Sequence, residues 1–92
     1  MSDAIQRELK IVNEKGLHAR ASAKFVDVVE QFEAQAVVEK DGLDASGDSI
    51  MGLLMLAASK GTSIQVTTSG AQASELMQAL DALVADRFGE DQ

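Results

Sequence analysis

Two periods of apolar spacing alternate along this 92-residue chain. Strand-like alternation, in which every second residue is apolar, marks Ile5 to Val12 and Ser63 to Ser69. Helical spacing of three or four residues marks Ala19 to Phe32 and a later segment. That later segment has its apolar positions at Ala73, Leu76, Met77, Leu80, Leu83 and Val84. These patterns predict two strands and two amphipathic helices.

A hairpin and a short helix are predicted in the middle of the chain. Residues 35–40 and 43–45 have strand patterns on either side of Asp41-Gly42, a pair typical of tight hairpin turns. The apolar run 50–58 follows Asp48 and Ser49, two residue types that cap helix N-termini, and Lys60-Gly61 ends it. The predicted order is β-α-β-β-α-β-α. It favours an α+β open-faced sandwich, with a four-stranded, mainly antiparallel sheet and three helices on one face.

Length and composition fit one domain over residues 1–92, with ends that fray at about 1–4 and 89–92. Hydrophobic residues make up 46% of the chain, which is typical of a globular protein. The net charge of −7 argues against nucleic acid and anionic membranes as partners, since both attract basic surfaces. No bilayer span and no signal peptide is expected. The lack of cysteine agrees with a cytoplasmic protein, which we expect to be a monomer.

His18 is the only histidine, and it lies where a strand pattern ends and a helix pattern begins. Without cysteine or a second histidine, a zinc or iron site is not expected, and neither is a cofactor. One interpretation of His18 is a helix-capping or surface residue. The other is a nucleophile, because an imidazole nitrogen can accept a phosphoryl group and give it away.

The residues around His18 suit a bound phosphate. Gly16 lets the chain turn sharply and approach other groups closely. The backbone amides of Ala19 and Arg20 would point at phosphate oxygens at the helix start, and the Arg20 guanidinium offers paired donors. Glycine, histidine and arginine at every second position are only a moderate signal, which many chains match by chance.

Three segments of the chain together resemble a known family. They are Gly16-Leu17-His18-Ala19-Arg20-Ala21-Ser22-Ala23-Lys24-Phe25, Asp48-Ser49-Ile50-Met51-Gly52-Leu53-Leu54-Met55-Leu56 and Ala58-Ser59-Lys60-Gly61-Thr62. In this order and spacing they are similar to motifs of the HPr family of phosphocarriers, from the phosphoenolpyruvate-dependent phosphotransferase system. The resemblance spans about Ile5 to Leu83, and its alanine-rich form is closer to the nitrogen-type branch, NPr. Where the family usually has proline after the arginine, this chain has Ala21, which loosens the first helical turn and adds a backbone donor.

The resemblance implies a phosphorylated intermediate shared by two enzymes. Enzyme I, the phosphoenolpyruvate-protein phosphotransferase, would phosphorylate Nδ1 of His18. An enzyme IIA-type acceptor would then take the group, in sugar uptake or in nitrogen regulation. Arg20 would stabilise the phosphoryl group during transfer, and the chain would act like a transferase without turning over a substrate of its own.

Ser49 and the apolar run after it have both structural and functional interpretations. As an N-cap, Ser49 contributes about 1 kcal/mol to stability. The resemblance implies that a serine kinase phosphorylates the matching serine in some family members, which weakens exchange with enzyme I. Most of the apolar run is expected in the core, while Met51, Leu54 and Met55 are candidates for an exposed partner surface beside His18.

Two alternatives from other functional classes stay open. Gly47-Asp48-Ser49-Ile50 resembles the site where acyl carrier proteins hold phosphopantetheine on serine, and small size and acidity agree with that class. Acyl carriers are all-helical, however, whereas residues 5–12 and 63–69 alternate like strands. The second alternative is a regulatory binding module of the same fold that transfers no phosphate, and the presence of both His18 and Arg20 argues against it.

Overall fold

A four-stranded antiparallel sheet is the frame of the protein in a computed structural model that describes residues 4–92. The strands are β1 (Ile5–Lys10), β2 (Gln35–Lys40), β3 (Leu43–Ser46) and β4 (Ser63–Ser69), in the spatial order β1-β4-β2-β3. The helices α1 (Ala19–Val29), α2 (Ile50–Met55) and α3 (Ala73–Ala85) cover one face. The predicted α+β open-faced sandwich and its element order are confirmed.

The core lies between the sheet and the helices, and strand alternation explains why it is one-sided. In β4, Ile64, Val66 and Thr68 are buried, whereas the residues between them are partly exposed. Leu9 of β1 lies opposite Ile64 and Val38 of β2 lies opposite Val66, so apolar side chains of neighbouring strands share a face. The helices contribute their buried positions: Ala21, Ser22, Phe25, Val26 and Val29 of α1, Leu53 of α2, and Ala73, Leu76, Met77, Leu80 and Val84 of α3.

Two helices end earlier than the apolar pattern predicts. Helix α1 ends at Val29, and Phe32 is half-buried beyond it. Helix α2 ends at Met55 because Ala57 adopts left-handed backbone (φ 52°), through which a right-handed helix does not continue. This early end places the Ala58 carbonyl where it accepts a hydrogen bond from the Leu17 amide at 2.8 Å. The turn after α2 is thereby fastened to the turn before α1.

The last residues form a C-terminal strap (residues 87–92) that folds back toward the start of α1. Arg87, Phe88 and Gly89 all have positive φ, which reverses the chain after α3, and Phe88 is fully buried. The fraying predicted for residues 89–92 stays a prediction about motion, although here the Gln92 carbonyl accepts a hydrogen bond from the Glu14 amide at 3.0 Å. Of the fraying predicted for about residues 1–4, the part at residues 1–3 lies outside the described residues.

Helix length bears on the predicted absence of a bilayer span. The longest helix in residues 4–92 is α3, with 13 residues. None of the helices in that range combines the length and the apolarity that crossing a bilayer requires.

Candidate functional site

The turn before α1 is held closely against the turn after α2. Gly16 has a φ of +67°, and a Cβ at this position would lie 2.4 Å from the Ala58 carbonyl oxygen. No side chain fits that gap, and left-handed backbone favours glycine as well. The predicted sharp turn with close approach at Gly16 is therefore confirmed, and it fixes the backbone that leads into His18.

His18 occupies the N-cap position of α1, with extended backbone and no capping hydrogen bond from its side chain. The first helical hydrogen bond runs from the Ser22 amide to the His18 carbonyl at 2.8 Å. The amides of Ala19 and Arg20 precede it, so they have no partner within the helix. The capping interpretation is therefore wrong for the side chain, and the start of α1 keeps donors that an anion can use.

The two nitrogens of the His18 ring differ in their contacts. Nε2 is hydrogen-bonded to Oε2 of Glu90 in the C-terminal strap, whereas Nδ1 has no hydrogen-bond partner in residues 4–92. The side chain is 25% exposed and borders a shallow depression that Leu17, Leu54 and Ser59 also line. One nitrogen is thus held by the protein while the ring remains open to a reaction partner.

Glu90 is in turn held by a buried amide. Asn13 is fully buried, and its Nδ2 donates to Oε1 of Glu90 at 3.0 Å and to the Gly16 carbonyl at 2.8 Å. Burial alone would raise the pKa of Glu90. The hydrogen bonds from Asn13 and His18, together with the electrostatic effect of the His18 ring and of Lys15, outweigh burial and lower this pKa below its ordinary value of 4.5. Glu90 is therefore an anion at neutral pH.

Three cationic side chains, Lys15, Arg20 and Lys24, line a cavity of about 450 Å³ between α1 and the strap. Lys24 Nζ donates to the Phe88 carbonyl at 2.6 Å, which ties α1 to the strap. The Arg20 guanidinium is exposed and makes no hydrogen bond or ion pair within residues 4–92, so its donors are available. No cluster of three or more His, Asp or Glu side chains in that range is arranged to hold a metal ion.

Helix α2 divides its apolar side chains between the core and the surface. Ser49 Oγ accepts a hydrogen bond from the Gly52 amide at 3.0 Å, which confirms the predicted N-cap. Leu53 is buried, whereas Met51 and Met55 are 70% and 73% exposed. Leu54 is half-buried in the depression beside His18. The three residues named as a partner surface are therefore accessible to different degrees, and one of them adjoins the imidazole.

The sequence alone does not identify Asn13, Phe88 and Glu90 as contributors to the site. Asn13 opens the turn segment Asn13-Glu14-Lys15-Gly16 and resembles an ordinary turn residue. Phe88 follows Val84 by four residues, a helical spacing that could have extended the apolar stripe toward the strap. Glu90 carries no local signal, because its partner His18 lies 72 residues away.

Comparisons with known proteins agree with this geometry. The family model described as "PTS HPr component phosphorylation site" matches residues 5–86. The phosphocarrier protein HPr of Neisseria meningitidis is 46% identical over 86 residues, which cover 94% of this chain and 97% of that protein. The phosphocarrier protein NPr of Escherichia coli K12 is 34% identical over 88 residues, covering 95% and 98%. The crystal structure of HPr-C-His from Thermoanaerobacter tengcongensis matches with a TM-score of 0.90 and 35% identity, covering 96% of this chain and 99% of that one.

The four-stranded sheet and these relatives do not favour the all-helical acyl carrier alternative. The nitrogen-type branch stays a prediction, since relatives of higher identity carry the name HPr. Fold, family model and relatives agree over almost the whole chain. The chain belongs to the HPr family and is a phosphocarrier of the phosphotransferase system.

Proposed function

We propose that His18 is the phosphoryl acceptor of this carrier and that Nδ1 is the attacking atom. The supporting observation is the partly exposed imidazole at the start of α1, whose Nε2 is engaged and whose Nδ1 has no partner in residues 4–92. The Nδ1 lone pair forms the N–P bond while the bond between phosphorus and the donor group of phosphorylated enzyme I breaks. The electron pair of the broken bond returns to that donor group, and the proton on Nε2 stays on His18.

Arg20 and the first amides of α1 stabilise the phosphoryl group in this proposal. The guanidinium has no ion pair within the described range that it would have to break. The amides of Ala19 and Arg20 point out of the helix start, where they donate to phosphate oxygens. Ala21 adds a backbone N–H that the family's usual proline lacks. A few donors on an open surface suit a carrier, since a group bound too tightly would not be passed on.

Enzyme I and an enzyme IIA-type acceptor then use one docking surface around His18, made of Met51, Leu54 and Met55. The exposure of both methionines supports this, because flexible thioether side chains adapt to more than one partner. A serine kinase acting on Ser49 would add roughly two negative charges at neutral pH next to this surface. Phosphate at a helix N-terminus is compatible with the fold, so the modification would act on partner binding.

The test is incubation of the purified chain with phosphoenolpyruvate and enzyme I, followed by mass spectrometry. We expect a gain of one phosphate that is lost in acid and kept in alkali. His18→Ala should abolish the gain, and Ser49→Ala, the matched control, should keep it.

Two other results would contradict the proposal. Label that persists in His18→Ala but disappears in Ser49→Ala would move the acceptor to Ser49. A wild-type chain that binds enzyme I but gains no phosphate would indicate the non-transferring regulatory module.

A further inference from the structure

We propose that Glu90 is a positioning residue for the transfer: its contact with Nε2 fixes the tautomer and orientation of the His18 ring and leaves Nδ1 as the nucleophile. This inference rests on the phosphoryl acceptor proposed above. It adds Glu90, a residue of the C-terminal strap, to the residues that take part in phosphoryl transfer.

The tautomer follows from the chemistry of the two partners. A neutral imidazole carries one N–H, on either Nδ1 or Nε2, and an ionised carboxylate can only accept hydrogen bonds. Glu90 is ionised at neutral pH and contacts Nε2. The ring hydrogen therefore lies on Nε2, and Nδ1 carries the lone pair that attacks phosphorus.

Glu90 is itself held firmly enough to orient a ring. Phe88 is buried in the core two residues earlier, and its carbonyl accepts from Lys24 Nζ at 2.6 Å. Asn13 holds the second carboxylate oxygen, Oε1, at 3.0 Å. The orientation of the Asn13 amide is determined, since a flipped amide would set its oxygen against two acceptors, Glu90 and the Gly16 carbonyl. Core packing and hydrogen bonds thus fix the carboxylate on one side of the imidazole.

The same contact matches the charge that develops during transfer. When Nδ1 bonds to phosphorus while Nε2 keeps its proton, the ring becomes a cation. Glu90 stabilises that cation from the Nε2 side, just as a carboxylate stabilises the imidazolium in a catalytic triad. When the group passes on, the N–P electron pair returns to Nδ1 and a neutral imidazole leaves, with its proton still on Nε2.

A competing interpretation is that the strap only blocks the site. A carboxylate close to His18 repels an incoming phosphoryl group, so removing it would speed transfer. The two interpretations predict opposite changes in rate, which makes Glu90 variants decisive.

The experiment compares Glu90→Gln and Glu90→Ala with wild type and with the control Asp91→Asn, which removes the same charge one residue away on an exposed side chain. The first readout is the pair of imidazole 15N shifts of His18 in unphosphorylated protein at neutral pH. The wild type, Glu90→Gln and Asp91→Asn should keep the Nε2–H tautomer, because glutamine still offers an oxygen acceptor. Glu90→Ala should give a mixture of both tautomers.

The second readout is the rate of phosphorylation by enzyme I. Because hydrogen bonds to a charged group are the strong ones, we expect kcat to fall about threefold in Glu90→Gln and about tenfold in Glu90→Ala. KM for the carrier should stay unchanged, and Asp91→Asn should match wild type. The glutamine variant keeps the shape of the side chain, so it carries the test if the alanine variant does not fold.

Three results would overturn the positioning role: an unchanged tautomer in Glu90→Ala, unchanged rates in both Glu90 variants, or faster transfer in either. The tautomer measurement requires no phosphate. A wild-type chain that enzyme I does not phosphorylate would therefore refute the acceptor role of His18, while the 15N shifts would still decide whether Glu90 sets the tautomer.

Discussion

Helices α1 and α2 both begin at a residue with extended backbone, yet only α2 is capped by its own side chain. Ser49 Oγ accepts from the Gly52 amide, whereas the His18 ring turns to Glu90 and caps nothing. A helix start whose donors are satisfied internally is stabilised, and one with open donors keeps its capacity for an anion. The two helix starts therefore differ in role: the start of α2 contributes to folding stability, and the start of α1 is available to bind a ligand.

The surroundings of the two helix starts also differ, since those of α1 are restrained and those of α2 are exposed. The start of α1 is framed by the Gly16 turn, buried Asn13 and the C-terminal strap, all of which restrict the backbone around His18. The start of α2 leads into exposed Met51 and Met55. A rigid frame suits a reacting atom that must be aligned, whereas adaptable apolar side chains suit contact with several partners.

Within the backbone that leads into His18, substitution of Gly16 is expected to cost the most stability. Gly16→Ala should destabilise the protein by roughly 3 kcal/mol, because it adds the cost of left-handed backbone to a close contact with the Ala58 carbonyl. Gly42→Ala is the matched control, since its φ is +84° but nothing lies within 4 Å of a Cβ there. It should lose only about 1 kcal/mol. Urea unfolding measures both, and equal losses would mean that the close approach to Ala58 contributes nothing.

Substitutions in the surface made of Met51, Leu54 and Met55 should change the rate of phosphorylation by enzyme I and leave the stability of the protein almost unchanged. Met55→Glu should slow phosphorylation by enzyme I about tenfold, because it places a charge in an apolar contact. Its melting temperature should hardly change, since the side chain is 73% exposed. Leu43→Glu, on an apolar residue of β3 that is 59% exposed, should leave the rate unchanged. A Met55 variant that unfolds easily yet transfers normally would contradict this assignment.

The two helix starts can be separated by one pair of variants. Ser49→Ala removes the cap of α2 and should cost about 1 kcal/mol of stability while phosphorylation persists. His18→Ala should abolish phosphorylation, and any loss of stability should come from the lost contact with Glu90 and not from a helix cap, because its side chain caps nothing. Thermal unfolding and mass spectrometry on the same samples measure both effects. Phosphorylation that is lost in Ser49→Ala, or kept in His18→Ala, would remove the contrast between the two helix starts.

The smallest expected effect is the loss, at acid pH, of the stability that Glu90 in the C-terminal strap contributes to the fold. Because the pKa of Glu90 is lowered in the folded state, the unfolded chain takes up its proton at higher pH. The contribution of Glu90 is therefore fully present above the ordinary carboxyl value of 4.5 and is lost as the pH falls through the lowered pKa. Melting curves should show wild type losing slightly more stability than Glu90→Gln over that acid range. Parallel curves would contradict the lowered pKa.

The fold could be predicted from the sequence because it follows from local periods. The spacing of Phe25, Val26 and Val29 shows the buried face of α1, and Asp41-Gly42 marks the hairpin. His18, Arg20 and Ser49 were also found at the correct helix starts, since strand and helix patterns meet there.

The orientation of the His18 ring could not be predicted in this way. It depends on left-handed backbone at Phe88, a residue type that seldom adopts it, and on contacts across most of the chain. Apolar spacing carries no information about such a reversal. The end of α2 was misplaced for a similar reason, because the left-handed conformation of Ala57 has no signal in the sequence.

The hydrogen bond between His18 and Glu90 joins residues 72 positions apart, which matters while the protein is being made. Translation proceeds from the N-terminus at roughly 5–20 residues per second, so the histidine emerges from the ribosome several seconds before the glutamate. Until then the imidazole of the nascent polypeptide lacks the carboxylate that orients it. If Glu90 orients the ring as proposed, a nascent polypeptide that has not yet exposed this glutamate lacks the oriented Nδ1 and should be a poorer phosphoryl acceptor than the folded protein.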